Sequence, residues 1–173
     1  MKYFRAVRLL LAVLLLGARV EGTPKPPFVL PINLEVAGAI VVADFRVSES
    51  LLYEVQLQYD YKEDDQQDRA RAWRLAGGSI WTGPGTWSAS GAPLELRVVV
   101  VTWNSEGNVV PLISQVVKNP RLNSWGASSL HATLVEFKLD RGAYKISVES
   151  LHAAPGFRNQ PVGILITRAY RGK

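Results

Sequence analysis

From Tyr53 to Tyr61 the chain alternates without a break. Tyr53, Val55, Leu57, Tyr59 and Tyr61 are apolar, and Glu54, Gln56, Gln58 and Asp60 between them are polar. A period of two over nine residues is the pattern of a β-strand with one dry and one wet face. A strand of that kind needs neighbours and a second layer over its dry face. The rest of the sequence supplies both. Phe28–Leu34, Ala39–Val47, Leu94–Trp103, Val109–Val117, Leu130–Leu139, Tyr144–Leu151 and Val162–Tyr170 all read as strands, which with Leu52–Tyr61 makes about eight. Val98-Val99-Val100-Val101 is apolar on both faces and predicts a central strand. Pro111 within Val109–Val117 predicts an edge or a bulge. Asp140-Arg141-Gly142 between two strands is a hairpin signal. Short strands at close spacing predict an all-β fold, a two-layer β-sandwich of Ig-like or jelly-roll-like type.

One stretch departs from the pattern. Asp64–Ala76 is rich in helix formers, places acids before bases and ends at Gly77, so it predicts one short helix. The loop that follows, Gly77–Gly91, is built of Gly, Ser and Thr and carries Trp81 and Trp87.

The first 22 residues read as an address. Lys2, Arg5 and Arg8 precede an apolar run from Leu9 to Leu16, and small residues follow at Gly17, Ala18 and Gly22. This is the layout of a secretory signal peptide cut after Ala18 or after Gly22. The apolar run is too short to span a bilayer, which takes about 20 residues. The expected domain is then residues 23–173, soluble and without stable membrane insertion. The chain has no cysteine, so disulfides, zinc–thiolate sites and thiol catalysis are excluded. An exported chain without disulfides points to a bacterial periplasmic or secreted protein. The net charge of +5 loses its force once the address is set aside. Lys2, Arg5, Arg8 and Arg19 leave with Glu21, and 16 bases against 14 acids remain, a net of +2. A nucleic-acid partner is therefore not expected.

Signatures of catalysis are absent. His131 and His152 are the two histidines, each in or beside a strand, and both read as structural. There is no nucleophile elbow, phosphate loop or histidine pair with metal spacing. The acids Asp60, Glu63, Asp64, Asp65 and Asp68 lack calcium-loop spacing and read as a helix N-terminus. No enzyme, cofactor or metal is expected. Arg69, Arg71 and Arg74 offer an anion or partner site, with ion pairing to the neighbouring aspartates or clamping of the helix as the structural alternative. Trp81 and Trp87 either cover the core as a lid or serve as binding anchors. Trp73, Trp103 and Trp125 read as core or sheet-packing residues.

The segments PINLEVAGAIVVADFRV (31–47), LYEVQLQYDY (52–61), DRARAWRLAGG (68–78), SWGASSL (124–130) and LDRGAYKISVESLHAAP (139–155) together resemble a family of small exported bacterial proteins known as a domain of unknown function. That family is known mainly from Burkholderia-type Proteobacteria. Its most specific piece here is Asp68, Arg69, Arg71, Leu75 and Gly77; Leu139, Gly142 and Tyr144 are less specific. The resemblance implies a β-sandwich and an exported location, and it transfers no catalytic residue. The expected function is an exported, non-enzymatic binding module for another protein. A periplasmic immunity-type protein that blocks a neighbour's toxin is one concrete form. A carbohydrate-binding module using Trp81 and Trp87 is the alternative.

Overall fold

The computed structural model describes residues 22–81 and 86–169, with the side chains of 79–88 excepted. The expected signal peptide, apart from Gly22, and the side chains of Trp81 and Trp87 lie outside the described residues.

The strands are β1 (Phe28–Pro31), β2 (Ile40–Val47), β3 (Leu51–Asp60), β4 (Gly78–Trp81), β5 (Thr86–Ala89), β6 (Glu95–Trp103), β7 (Val109–Lys118), β8 (Ser124–Trp125), β9 (Ser129–Leu139), β10 (Gly142–Ser150) and β11 (Val162–Arg168). One helix, α1 (Gln66–Ala76), separates β3 from β4. Two antiparallel sheets face each other in the order β1-β11-β3-β9-β8 and β2-β10-β6-β7, and β4 pairs with β5 in a two-stranded sheet. All eight expected strands are present, and the architecture is a β-sandwich. The alternation along β3 places Tyr53, Val55, Leu57 and Tyr59 in the interior, against Phe45, Leu96, Val98, Val100, Ile146 and Val148 of the second sheet.

The tetravaline strand is internal, as its double-sided apolarity requires. β6 lies between β10 and β7, with Val98 and Val100 in the core and Val99 and Val101 nearly buried on the outer face. That outer face is otherwise closed by ion pairs between directly opposed residues: Glu95 with Lys118, Arg97 with Glu149, and Asp44 with Lys145. Pro111 lies on β7, an edge strand, and the register slips beside it between Val100 and Val101, so both halves of that expectation hold.

Three expectations are corrected. Asp140-Arg141-Gly142 does not close a hairpin. β9 pairs with β3 and β8, whereas β10 pairs with β2 and β6, so the turn carries the chain from one sheet to the other. Turn residues encode a reversal but not the partner. Here the Tyr144 hydroxyl donates to the Asp140 carbonyl at 2.6 Å and fixes the crossing. The crossing from β2 to β3 repeats the device, with the Tyr53 hydroxyl donating to the Glu49 carbonyl at 3.1 Å. The Arg141 amide donates to Ser50 Oγ at 3.2 Å and joins the two crossings. Trp103 and Trp125 are the other two corrections. Trp103 is 39% exposed on the outer end of β6, and Trp125 is 63% exposed on the two-residue edge strand β8. Trp73 is buried as expected.

The two ends of the sandwich differ. At one end the connections are tight: 48–50, 104–108 and 140–141. At the other lie 32–39, the described parts of 61–94 with α1, β4 and β5, and 119–123, 126–128 and 151–161. Long loops collect at this second end.

Candidate functional site

Helix α1 begins where its acids dictate. Asp65 caps it, its Oδ1 accepting from the amides of Gln67 and Asp68 at 3.0 Å each. Asp68 Oδ2 accepts the Lys62 amide at 2.9 Å. These carboxylates thus terminate a helix, and among the described residues no group of three or more His, Asp or Glu is placed to hold a metal. The helix buries Ala72, Trp73 and Ala76 and leaves its other face to solvent. Gly77 stops it with φ 71° and ψ −171°, a conformation reserved for glycine.

Arg71 ties this helix to a loop almost ninety residues away. Its Nη2 donates to Asp68 and, at 3.2 Å, to the Asn159 carbonyl; its Nε donates to Gln160 Oε1 at 3.2 Å. Gln160, 5% exposed, turns its Nε2 onto the Asp60 carbonyl at 2.6 Å. Asn159 holds φ at 62°, a left-handed value that asparagine tolerates better than most residues. The network makes residues 159–161 a fixed rib at the long-loop end.

A groove opens on each side of the rib. The first, of about 720 Å³, lies against α1 and is lined by Asp60, Tyr61, Lys62, Asp65, Gln67, Asp68, Arg71, Arg74, Asn159 and Pro161. The second, of about 680 Å³, runs toward β1. Its walls include Val29, Ile32, Leu34, Phe157 and Val162, with Asn33, Glu35 and Gln160 as polar members. Asp60, Asn159 and Pro161 belong to both. The first carries charges of both signs, and the second carries the carboxylates of Glu35 and Asp60 beside its aliphatic residues.

Beside the first groove lies an aromatic cluster. The Tyr61 hydroxyl donates to the Gly126 carbonyl at 3.0 Å, and the Arg69 guanidinium stands 5.9 Å over the Tyr61 ring. Next to Gly126, Trp125 leans on buried Trp73, with ring centroids 6.3 Å apart and planes at 51°. Trp125 therefore presents an exposed ring on a firm support.

The residues expected from sequence divide three ways. Arg71 and Arg74 both line the first groove, but Arg71 is spent on the clamp while Arg74 is exposed and makes no ion pair among the described residues. Arg69 covers an aromatic ring. The backbones of Trp81 and Trp87 lie on the β4–β5 hairpin, offset by one pair, since Ile80 opposes Trp87 and Trp81 opposes Thr86. Sequence reasoning missed Lys62, the rib, the second groove and Trp125. Trp125 had a signal: it stands in Ser124-Trp125-Gly126-Ala127-Ser128-Ser129, the same small, polar setting that singled out Trp81 and Trp87. The rib had none.

The histidines do not meet at this site. His131 is on β9 in the first sheet, half-buried. Burial lowers its pKa, and the charges of Asp60 and Glu54 partly oppose that. His152 follows β10 in the second sheet, exposed, with Nε2 3.4 Å from Glu95. Hydrogen bonding from Lys118, more than His152, lowers the Glu95 pKa. Among the described residues no helix is long and apolar enough to cross a membrane.

No curated protein sequence matches the chain. A crystallised protein from Sulfurospirillum deleyianum shares the fold, with a TM-score of 0.68 at 18% identity over 84% of this chain and 98% of that one. Two family 35 carbohydrate-binding modules overlap less well, each with a TM-score of 0.37. One, solved with a glucuronic acid-containing disaccharide, is 14% identical over 80% of this chain and 76% of that one. The other, from an environmental isolate, is 15% identical over 91% and 85%. A family model described as a domain of unknown function, DUF5625, matches residues 29–168, and the chain belongs to that family.

Proposed function

We propose that this is an exported, non-enzymatic binding module that engages a protein partner with the long-loop end of its sandwich. One observation carries the reading: that end combines two adjoining grooves, both lined by charged and polar side chains, with a supported, exposed tryptophan. Trp, Tyr and Arg are the side chains that anchor protein interfaces, and all three occur here. Loops on a rigid sandwich are the usual place for recognition. The export reading rests on residues 1–22, and the bacterial periplasm or exterior is the compartment they imply. The non-enzymatic reading is supported by the commitment of Asp65 and Asp68 to capping and clamping, and by the separation of the two histidines, His131 on β9 of one sheet and His152 beyond the end of β10 of the other.

The test is capture from envelope extracts of the producing bacterium, with the exported protein immobilised. A protein retained by the wild type and lost with both Trp125→Ala and Arg74→Glu supports the proposal. A protein retained equally by all three refutes the site. A glycan-binding reading is favoured by the exposed Trp125 ring, a surface on which a sugar stacks. Glycan-array binding abolished by Trp125→Ala, without capture of any protein, would replace the first reading with this one.

A further inference from the structure

The sheet edges are closed in different ways. The first sheet ends in β1, four residues long, and in β8, two residues long; β9 runs on past β8 and exposes Glu136 and Lys138. Charges of that kind blunt an edge. In the second sheet β2 meets the lead-in, where the Arg46 amide donates to the Pro24 carbonyl at 2.9 Å. The remaining edge, β7, is ten residues long and has no neighbour on its outer side among the described residues. It contains Val109, Val110, Leu112, Ile113, Val116 and Val117, with one charge, at Lys118. Such a strand is a template for pairing with another chain.

The ladder shows which backbone groups β7 offers. In an antiparallel pair, opposed residues alternate between those that bond each other and those that turn their N–H and C=O away. The Asn119 amide donates to the Leu94 carbonyl at 2.8 Å, and the Asn104 amide to the Asn108 carbonyl at 3.0 Å. Followed along the register from both ends, this alternation turns Val109, Pro111, Ser114, Val116 and Lys118 outward. Two breaks interrupt that row. Pro111 has no N–H to offer, and its ring stands where an incoming strand would lie. Leu112 is the extra residue of the bulge, so the row steps by three residues there instead of two. A regular strand cannot follow the row past this point, and Ser114, Val116 and Lys118 alone give a ladder far too short for a stable interface.

We propose that Pro111 and the bulge at Leu112 are a block on strand addition: they keep β7 from pairing with β7 of a second copy of this chain, and so hold the protein as a monomer. A second copy is the partner to be kept off, because antiparallel pairing of β7 with itself about a two-fold axis satisfies both edges at once. The strand keeps its apolar residues because Ile113 and Val117 pack against the core, so the edge is guarded by backbone geometry rather than by polar replacement. The inference is separate from the partner-binding reading, which concerns the loops, and it holds whatever they bind.

The test restores the edge. Pro111→Val returns the missing N–H, and Pro111→Val with Leu112 deleted also returns the two-residue spacing. Sedimentation of the exported protein is followed over a hundredfold range of concentration, together with hydrogen exchange of the amides of 114, 116 and 118. Wild type should sediment as one chain throughout, with those amides exchanging freely. Pro111→Val should move toward the mass of two chains as concentration rises, the deletion variant more so, and the three amides should slow at least tenfold in the associated form. Adding Ser114→Pro, at another outward position where no bond to β6 is lost, should return the deletion variant to one chain. Folded variants that stay monomeric overturn the inference. So does association that survives Ser114→Pro or leaves the three amides unprotected, and so does a wild type that already pairs through β7. A Pro111→Val chain that fails to fold overturns it too, because Pro111 is then a requirement of the fold and not a block on its edge.

Discussion

Arg71 and Arg74 are three residues apart on one helix and line one groove, yet they should behave in opposite ways. Replacing Arg71 by Met keeps its apolar stem and removes the fork. The ion pair with Asp68 is 42% and 11% exposed at its two side chains, so its share is discounted to about 0.5 kcal/mol. The hydrogen bonds to Gln160 Oε1 and the Asn159 carbonyl contribute about 1 kcal/mol each. Gln160 is 5% exposed, so its stranded acceptor raises the loss, and the sum is about 2–3 kcal/mol. With a urea m-value of about 2 kcal/mol/M, the unfolding midpoint should fall by about 1–1.5 M. Arg74→Met removes an exposed side chain that has no partner among the described residues, and its midpoint should move by less than about 0.3 M. The assay is urea unfolding followed by tryptophan fluorescence. Equal, small shifts for the two variants would refute the clamp and with it the account of how the rib is held.

Three further outcomes follow from the same structure. Gly77→Ala adds a Cβ 2.6 Å from the Gly91 amide nitrogen, at a φ of 71°, where no rotamer change gives relief; it should cost about 3 kcal/mol or more. Gly107→Ala, with a φ of 79° but open space, should cost about 1 kcal/mol, and thermal unfolding of the pair separates clash from strain. Tyr144→Phe should lose about 1 kcal/mol by denaturant titration, because the Asp140 carbonyl loses its donor at the sheet crossing. For His131, burial holds the folded-state pKa below the ordinary value of about 6.5, so below that pH the unfolded chain takes up more protons than the folded one. Stability should fall as pH drops below about 6.5, and unfolding titrations of His131→Gln should show a smaller loss than wild type over that range. An identical pH dependence would contradict the assignment.

Much of this fold was legible because its signals are local. Period two along β3, double-sided apolarity in β6, Pro111 at an edge and the acid-to-base order of α1 each act within a few residues. What was not legible is partnership. Asp140-Arg141-Gly142 announces a turn whichever sheet its strands join, and only the Tyr144 and Arg141 bonds, formed in three dimensions, show a crossing. The β4–β5 hairpin was hidden because Gly and Ser at 77–79 and 88–91 read as loop, although Gly78 to Trp81 pairs in register with Thr86 to Ala89. The site divides the same way. Arg71 and Arg74 stand out as a cluster in sequence, but the residues that distinguish their roles lie at 159–161, beyond any local pattern. Trp125 reads as a core residue from its type alone; its exposure follows from the shortness of β8, which leaves no neighbour outside it.

The central claim is that the long-loop end is the recognition surface. Photo-crosslinking in the producing organism tests it most directly, with the reactive side chain placed singly at position 74, at position 125, or at position 116 on the exposed edge strand β7 of the other sheet. The account predicts one and the same protein adduct from 74 and 125 and none from 116. An adduct from 116 alone, or none from any position, would contradict it.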